Sequence, residues 1–147
     1  MAGRSGVERD PASIREGDTL APFRLELSLQ RLVMEAAVNR DFTPIHHDPA
    51  AAQSGGARTA YANTMLLQAM LEAMLRNWAG PRARINSLEF AMRRFCYAGS
   101  IAIAQGSVAK VVRHQADVSA YVELKIESNG TTCVEGAAVV TFPGFPT

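Results

Sequence analysis

Between residues 59 and 78 the chain carries a helical run that is apolar around most of its circumference: Tyr61, Met65, Leu66, Leu67, Met70, Leu71, Met74, Leu75 and Trp78. Gln68, Glu72 and Arg76 form its one clear polar row, at i, i+4 and i+8. A helix with so narrow a wet face has to be wrapped by other structure. At about 1.5 Å per residue it would reach roughly 30 Å, and its charges argue against a membrane span. Gly80-Pro81 stops it.

The wrapping has to come from strands, because the period then changes from helical to two. Leu88, Phe90 and Met92 alternate with Glu89 and Arg93, and a more ragged run follows from Ile101 to Val112. Val118, Ala120, Val122, Leu124 and Ile126 alternate with Ser119, Tyr121, Glu123, Lys125 and Glu127, the cleanest strand in the chain. Asn129-Gly130 predicts a tight hairpin into a last strand over residues 131–142. On the other side of the helix, Phe23, Leu25 and Leu27 read as a first strand. Ser28 then caps a helix whose apolar positions Leu29, Leu32, Val33, Ala36 and Ala37 fall on one face. One strand, helices, a long buried helix and four more strands imply an α+β domain, an antiparallel sheet curled around one central helix.

Asp41-Phe42-Thr43-Pro44-Ile45-His46-His47-Asp48-Pro49 follows the first helix. Two prolines restrict this segment, so it is a rigid loop, the usual place for chemistry on a scaffold. A carboxylate and an imidazole five positions apart across such a turn can hold one water molecule for general acid/base work. The plainer alternative is that Asp41 closes an Asx-type turn and His46 is a hydrogen-bonded loop residue. Asp48, before Pro49 and three alanines, reads as the N-cap of a short helix, and His47 as a supporting or surface residue.

Asp41-x-x-Pro44-x-His46-x-Asp48 with Ala50 to Ala52 behind it resembles the hydratase motif of the MaoC-like, (R)-specific enoyl-CoA hydratases and dehydratases, which have the hot-dog fold. Arg40-Asp41-Phe42, His46-His47-Asp48 and Asn77-Trp78-Ala79-Gly80-Pro81 are similar to the small catalytic subunits of heteromeric MaoC-like hydratases of steroid side-chain degradation. The resemblance covers roughly residues 20–142. It implies that Asp41 and His46 are the catalytic pair and that backbone N–H groups of Asn63 or Thr64 stabilise the thioester oxyanion. Loss of one such donor typically costs about 3 kcal/mol of transition-state stabilisation. Asn39-Arg40 replaces the commoner Ser-Gly, Thr43 replaces Asn, and Asn63-Thr64 replaces His-Gly, which narrows the room beside a thioester.

Thr43 and Tyr61 are further candidate substrate contacts, and Arg84, Arg93 and Arg94 are candidate partners for the phosphates of coenzyme A. The implied reaction adds water to a trans-2-enoyl-CoA and uses no metal or redox cofactor, the coenzyme A arriving with the substrate. One hot-dog unit presents an open sheet and half an acyl tunnel, so a homodimer, or a heteromer with a second MaoC-like chain, is expected. Two alternatives remain: a hot-dog acyl-CoA thioesterase, and a non-catalytic subunit that completes a partner's acyl pocket.

Composition sets the outer bounds. The 147 residues suit one domain, read as 19–147, preceded by a flexible segment over residues 1–18 that has neither the apolar core of a signal peptide nor an anchor. A net charge of +1 builds no basic field for nucleic acid. Cys96 and Cys133 stand in no metal or redox spacing and fit free thiols in a cytoplasmic protein. His46, His47, Asp48 and His114 form no metal-ligand spacing, and no Ser or Cys sits in a nucleophile-elbow context.

Overall fold

The computed structural model describes residues 9–144. Strand β1 (Phe23–Leu27) leads into α1 (Leu29–Asn39), then come the short α2 (Pro49–Ser54) and the long α3 (Thr64–Ala79). Strands β2 (Arg84–Met92), β3 (Ser100–His114), β4 (Asp117–Ser128) and β5 (Thr131–Phe142) complete the chain. All five strands form one antiparallel sheet in the order β1-β3-β4-β5-β2.

Local signals set most of these boundaries. Ser28 accepts a hydrogen bond from Arg31 N–H at the head of α1, and Asp48 accepts from Ala50 and Ala51 N–H at the head of α2. Asn129 and Gly130 have φ of 50° and 75°, the double positive φ of a hairpin turn that matches the strand twist. The alternating run of β4 turns Val118, Ala120, Val122, Leu124 and Ile126 inward.

The sheet wraps α3, whose Leu67, Met70, Leu71, Met74 and Leu75 are almost wholly buried. Small residues on the concave face, Ala102, Ala104, Ala120 and Ala138, let the strands approach the helix closely. Gly106 is the extreme case: a Cβ there would stand 3.2 Å from the ends of Met74, Leu124 and Leu20. Trp78 closes one end of the core edge-on to Phe142, their ring centres 5.2 Å apart.

One expectation is corrected by tertiary pairing. The long helix begins at Thr64, five residues later than its apolar run. Residues 60–62 are instead extended against residues 96–98, with Ala62 N–H donating to Cys96 O and Ala98 N–H to Ala60 O, and Tyr61 bridged to Tyr97. At 16 residues the helix is about 24 Å long.

The residues ahead of β1 lie beside its neighbour in the sheet. Residues 9–18 are docked on β3, while residues 1–8 lie outside the described residues. The 15-residue β3 outruns the five-residue β1, and this segment covers what β1 leaves unpaired. Gly17 N–H donates to Val108 O, Val108 N–H to Asp18 O, and Val111 N–H to the Glu16 carboxylate. Ile14 is fully buried, and Arg9 lies over the Trp78 ring while pairing with Asp18.

Candidate active site

The position of Asp41 is set by the way α1 ends. Arg40 takes a left-handed conformation, φ 54°, and the N–H groups of Arg40 and Asp41 turn back onto Ala37 O and Ala36 O. This is the Schellman closure that usually recruits glycine. The chain then enters a 3₁₀ turn over Pro44–His46, and Asp48 N–H donates to Pro44 O at 2.7 Å. The prolines and the two helix ends thus fix both catalytic candidates from either side.

Both oxygens of Asp41 are engaged. Oδ1 accepts from Thr43 N–H at 3.2 Å, so the Asx turn weighed as a plain alternative exists. Oδ2 accepts from the Asn63 side-chain amide at 2.9 Å and also lies 3.7 Å from His46 Nε2. Structural and functional readings of Asp41 therefore use different oxygens. The Asn63 amide, followed by Thr43, holds the Asp41 carboxyl below its ordinary value, against the opposing effect of burial.

His46 is held from its other nitrogen. Nδ1 lies 2.9 Å from Tyr61 O, and a carbonyl has no proton to give, so Nδ1 carries the hydrogen. In the neutral ring Nε2 is then a free acceptor pointing at Asp41. The 3.7 Å separation exceeds a direct hydrogen bond and suits a water oxygen that touches both groups. The side chains of His46 and Asp41 keep 14% and 22% of their exposure, enough to meet a substrate from solvent.

Asn63 joins this pair to the long helix. Its Oδ1 accepts from Leu66 N–H at 2.9 Å as the N-cap of α3, while its amide donates to Asp41. With Leu66 satisfied, the N–H groups of Thr64 and Met65 head the helix without an intrahelical acceptor, at the positive end of its dipole. Nothing in the spacing announced that the Asn63 side chain would reach back 22 positions to Asp41.

The other candidates separate. Thr43 contributes its backbone N–H to Asp41, and its residue is exposed. Tyr61 is 8% exposed and stands behind His46, ring centres 5.2 Å apart, with its far face stacked on Phe95 at 4.0 Å. It therefore supports the His46 ring. Arg93 and Arg94 share a cleft with Arg58, which sequence reasoning missed for want of any local signal. Arg84 does not join them: it begins β2 and they follow its end, about 30 Å along an extended chain. His114 pairs with Asp117 at the β3–β4 turn, and among the described residues no three His, Cys, Asp or Glu side chains converge as metal ligands. Cys96 and Cys133 are free and buried, and burial, with Cys133 beside it, pushes the Cys96 thiol up to about 12.

Among solved structures, the (R)-hydratase from A. caviae involved in PHA biosynthesis superposes with a TM-score of 0.80 at 22% identity, covering 89% of this chain and 98% of that one. The fold is the hot-dog fold of the MaoC-like hydratases. A chain of the ChsH1-ChsH2 complex from Mycobacterium tuberculosis superposes with a TM-score of 0.78 at 21% identity over 87% of this chain and 98% of that one. Over 80 residues the sequence is 29% identical to the 3-oxo-4,17-pregnadiene-20-carboxyl-CoA hydratase beta subunit of Mycobacterium tuberculosis, matching 54% of this chain and 62% of that relative. The match therefore spans less than two thirds of the curated relative's length. No family model matches the chain. No helix among the described residues is long and apolar enough to cross a membrane.

Proposed function

We propose that this chain adds water reversibly across the 2,3 double bond of a trans-2-enoyl-CoA to give the (R)-3-hydroxyacyl-CoA. The observation that carries the reading is the facing pair of Asp41 Oδ2 and an acceptor His46 Nε2, 3.7 Å apart. Asn63 links that pair to the free N–H groups at the head of α3.

In the hydration direction, His46 Nε2 takes one proton from the water held between the two side chains. The water oxygen bonds to carbon 3, and the double-bond electrons move toward carbon 2 and the thioester oxygen. The N–H groups at the start of α3, at Thr64 with its neighbours Asn63 and Met65, stabilise the resulting negative charge. The imidazolium then returns its proton to carbon 2, so that H and OH have been added and the dyad is restored. Asp41 stays ionised throughout, orienting the water and stabilising the imidazolium, because two N–H donors favour its charged form. Every proton in this sequence is carried by water or His46, with no metal or redox group in the scheme.

A second chain of the same fold would complete the site. Val38, Phe42 and Met65, around Asp41 and the head of α3, are 82%, 78% and 51% exposed, an apolar border that an acyl group and a partner subunit would cover. The names of the beta subunit and of the ChsH1-ChsH2 complex support a heteromer, and the former supports a bulky steroid-type acyl group.

The test follows the loss of enoyl-thioester absorbance with a short and a steroid side-chain enoyl-CoA, using wild type, Asp41→Asn and any co-purifying chain. Hydration without thiol release that falls by about 10²–10⁴ in Asp41→Asn is the expected result. Thiol release by the wild type would instead identify a thioesterase. Full activity of a complex containing Asp41→Asn would make this chain a binding subunit.

A further inference from the structure

Two thiols that the dyad does not use stand side by side. Cys133 on β5 and Cys96 in the β2–β3 connection are both free, and they hydrogen-bond each other. Cys133 Sγ also lies 3.7 Å from Phe95 O, the carbonyl next to Cys96, and 3.5 Å from Thr131 O. Arg93 and Arg94 clamp the same strand position, both donating their backbone N–H to Cys133 O, at 2.7 and 3.1 Å. The pair is therefore held between two fixed stretches of backbone.

The two sulfurs are not equivalent. Cys133 helps to line a cleft of about 540 Å³ between the β2–β3 connection and the β4–β5 hairpin, whereas Cys96 is fully buried. Arg58, Arg93 and Arg94 line the same cleft, the electropositive and partly open setting in which thiols react. Cys96 keeps its proton, since burial and the neighbouring Cys133 push its thiol up to about 12. A small polar oxidant meets Cys133 first, with Cys96 placed to resolve the product.

Cys96 is also tied to the dyad through the main chain. Its carbonyl accepts from Ala62 N–H at 2.9 Å. Ala62 stands between Tyr61, whose carbonyl holds His46 Nδ1, and Asn63, whose amide holds Asp41 Oδ2. Phe95, one residue before Cys96, stacks on the Tyr61 ring at 4.0 Å. A disulfide holds its sulfurs about 2.05 Å apart, far closer than two hydrogen-bonded thiols. Closing it draws residues 95–96 toward β5, and the Ala62 bond and the Tyr61 stack pass that shift to His46 and Asp41.

We propose that Cys133 and Cys96 are a reversible oxidation site for peroxides, and that the disulfide they form slows the Asp41–His46 dyad. Hydrogen peroxide takes two electrons from the Cys133 sulfur, giving a sulfenic acid and one water. The Cys96 sulfur then bonds to the Cys133 sulfur, and the displaced hydroxyl leaves with the Cys96 proton as a second water. An external dithiol reverses the bridge by exchange. The inference rests on the hydratase reading only for the rate that the bridge alters.

Wild type, Cys96→Ala and Cys133→Ala, each with any co-purifying chain, are treated with hydrogen peroxide, alkylated in urea and mapped by mass spectrometry. Wild type should lose both thiols, yield a linked peptide lighter by two hydrogens, and recover both thiols with dithiothreitol. Cys96→Ala should stop at the Cys133 sulfenic acid, trapped by dimedone, and Cys133→Ala should stay reduced. Enoyl-CoA hydration by wild type should fall by on the order of 10–10²-fold on bridging. It should return with dithiothreitol, which does not restore methionine sulfoxide, and both alanine variants should keep their rate throughout.

Two free thiols after peroxide, or a sulfinic acid at Cys133 without a bridge, would overturn the proposal. A bridge that leaves the rate unchanged would reject the link to the dyad. If reduced wild type turns over no enoyl-CoA, the hydratase reading fails, and nitrogen-15 NMR of His46 decides the link instead. The Nδ1 resonance should then shift on bridging and return on reduction, and an unmoved resonance would reject it.

Discussion

Asn63 does two jobs with the two ends of one amide, and replacing it by serine separates them. Serine keeps an oxygen that can accept from Leu66 N–H, and serine and asparagine cap helices about equally well. It has no N–H to give Asp41 Oδ2, so the 2.9 Å bond is lost. Hydrogen bonds to charged groups contribute about 1.5–3 kcal/mol. Asp41 is 22% exposed, and water will partly replace the amide, which places the effect at the lower end. A loss of about 1.5 kcal/mol corresponds to roughly a tenfold fall in kcat/KM. Asn63→Ala removes both ends, so it should show the same fall in rate together with about 1 kcal/mol of lost stability from the missing cap.

The two variants also differ from wild type in the titration of Asp41. Its folded carboxyl lies below the ordinary 3.8, with Asn63 as the largest cause, so the stability this contributes is fully present above 3.8 and is lost as pH falls through the lower folded value. Without the amide the carboxyl should move back toward 3.8, and the acid loss of stability below that pH should become shallower. Carbon-13 NMR of the Asp41 carboxyl, urea melts across that range and enoyl-CoA kinetics at neutral pH provide the readouts. A serine variant with unchanged rate and unchanged carboxyl titration would refute the positioning role and leave Asn63 a cap alone. A serine variant as unstable as the alanine one would refute the capping argument.

Two predictions address the framework. The Cys96 thiol, pushed up to about 12 by burial and the neighbouring Cys133, should resist iodoacetamide at pH 8 in the folded protein and react once urea unfolds it; mass spectrometry of the alkylated peptide checks this, and rapid native labelling would contradict it. Gly136→Ala should destabilise the β2–β5 pairing by about 1–3 kcal/mol, because its Cβ would stand 2.3 Å from Glu89 O and 2.7 Å from Phe90 Cβ; a urea midpoint equal to wild type would refute it.

The loop from Asp41 to Pro49 was legible because its constraints are local. Pro44, Pro49 and the Asp48 cap act within a few residues, and they set the 3₁₀ turn and α2 without help from the rest of the chain. The Schellman turn at Arg40 was not, since glycine is its usual marker and a non-glycine residue at φ 54° is uncommon. The cationic cleft was half legible: Arg93 and Arg94 stood out near a strand end, while Arg58 reaches them from a loop more than thirty positions earlier.

By itself the sequence determined the class of the fold, through the wrapped helix, the switch to period two and the Asn129-Gly130 hairpin, and it determined which loop held the acid and the imidazole. Each of these depends on backbone preferences and side-chain periodicity, which act over a turn or a strand. Tertiary structure decided where α3 starts, because residues 60–62 find strand partners at 96–98 that outweigh their helical pattern. It decided that residues 9–18 dock, because a long β3 left an edge and a core position that Ile14 fills. It also decided which nitrogen of His46 is free and which oxygen of Asp41 faces it. Those choices rest on Tyr61 O and the Asn63 amide, groups 15 and 22 residues distant, and only the packing of the long helix against the loop from Asp41 to His46 brings them within hydrogen-bond reach.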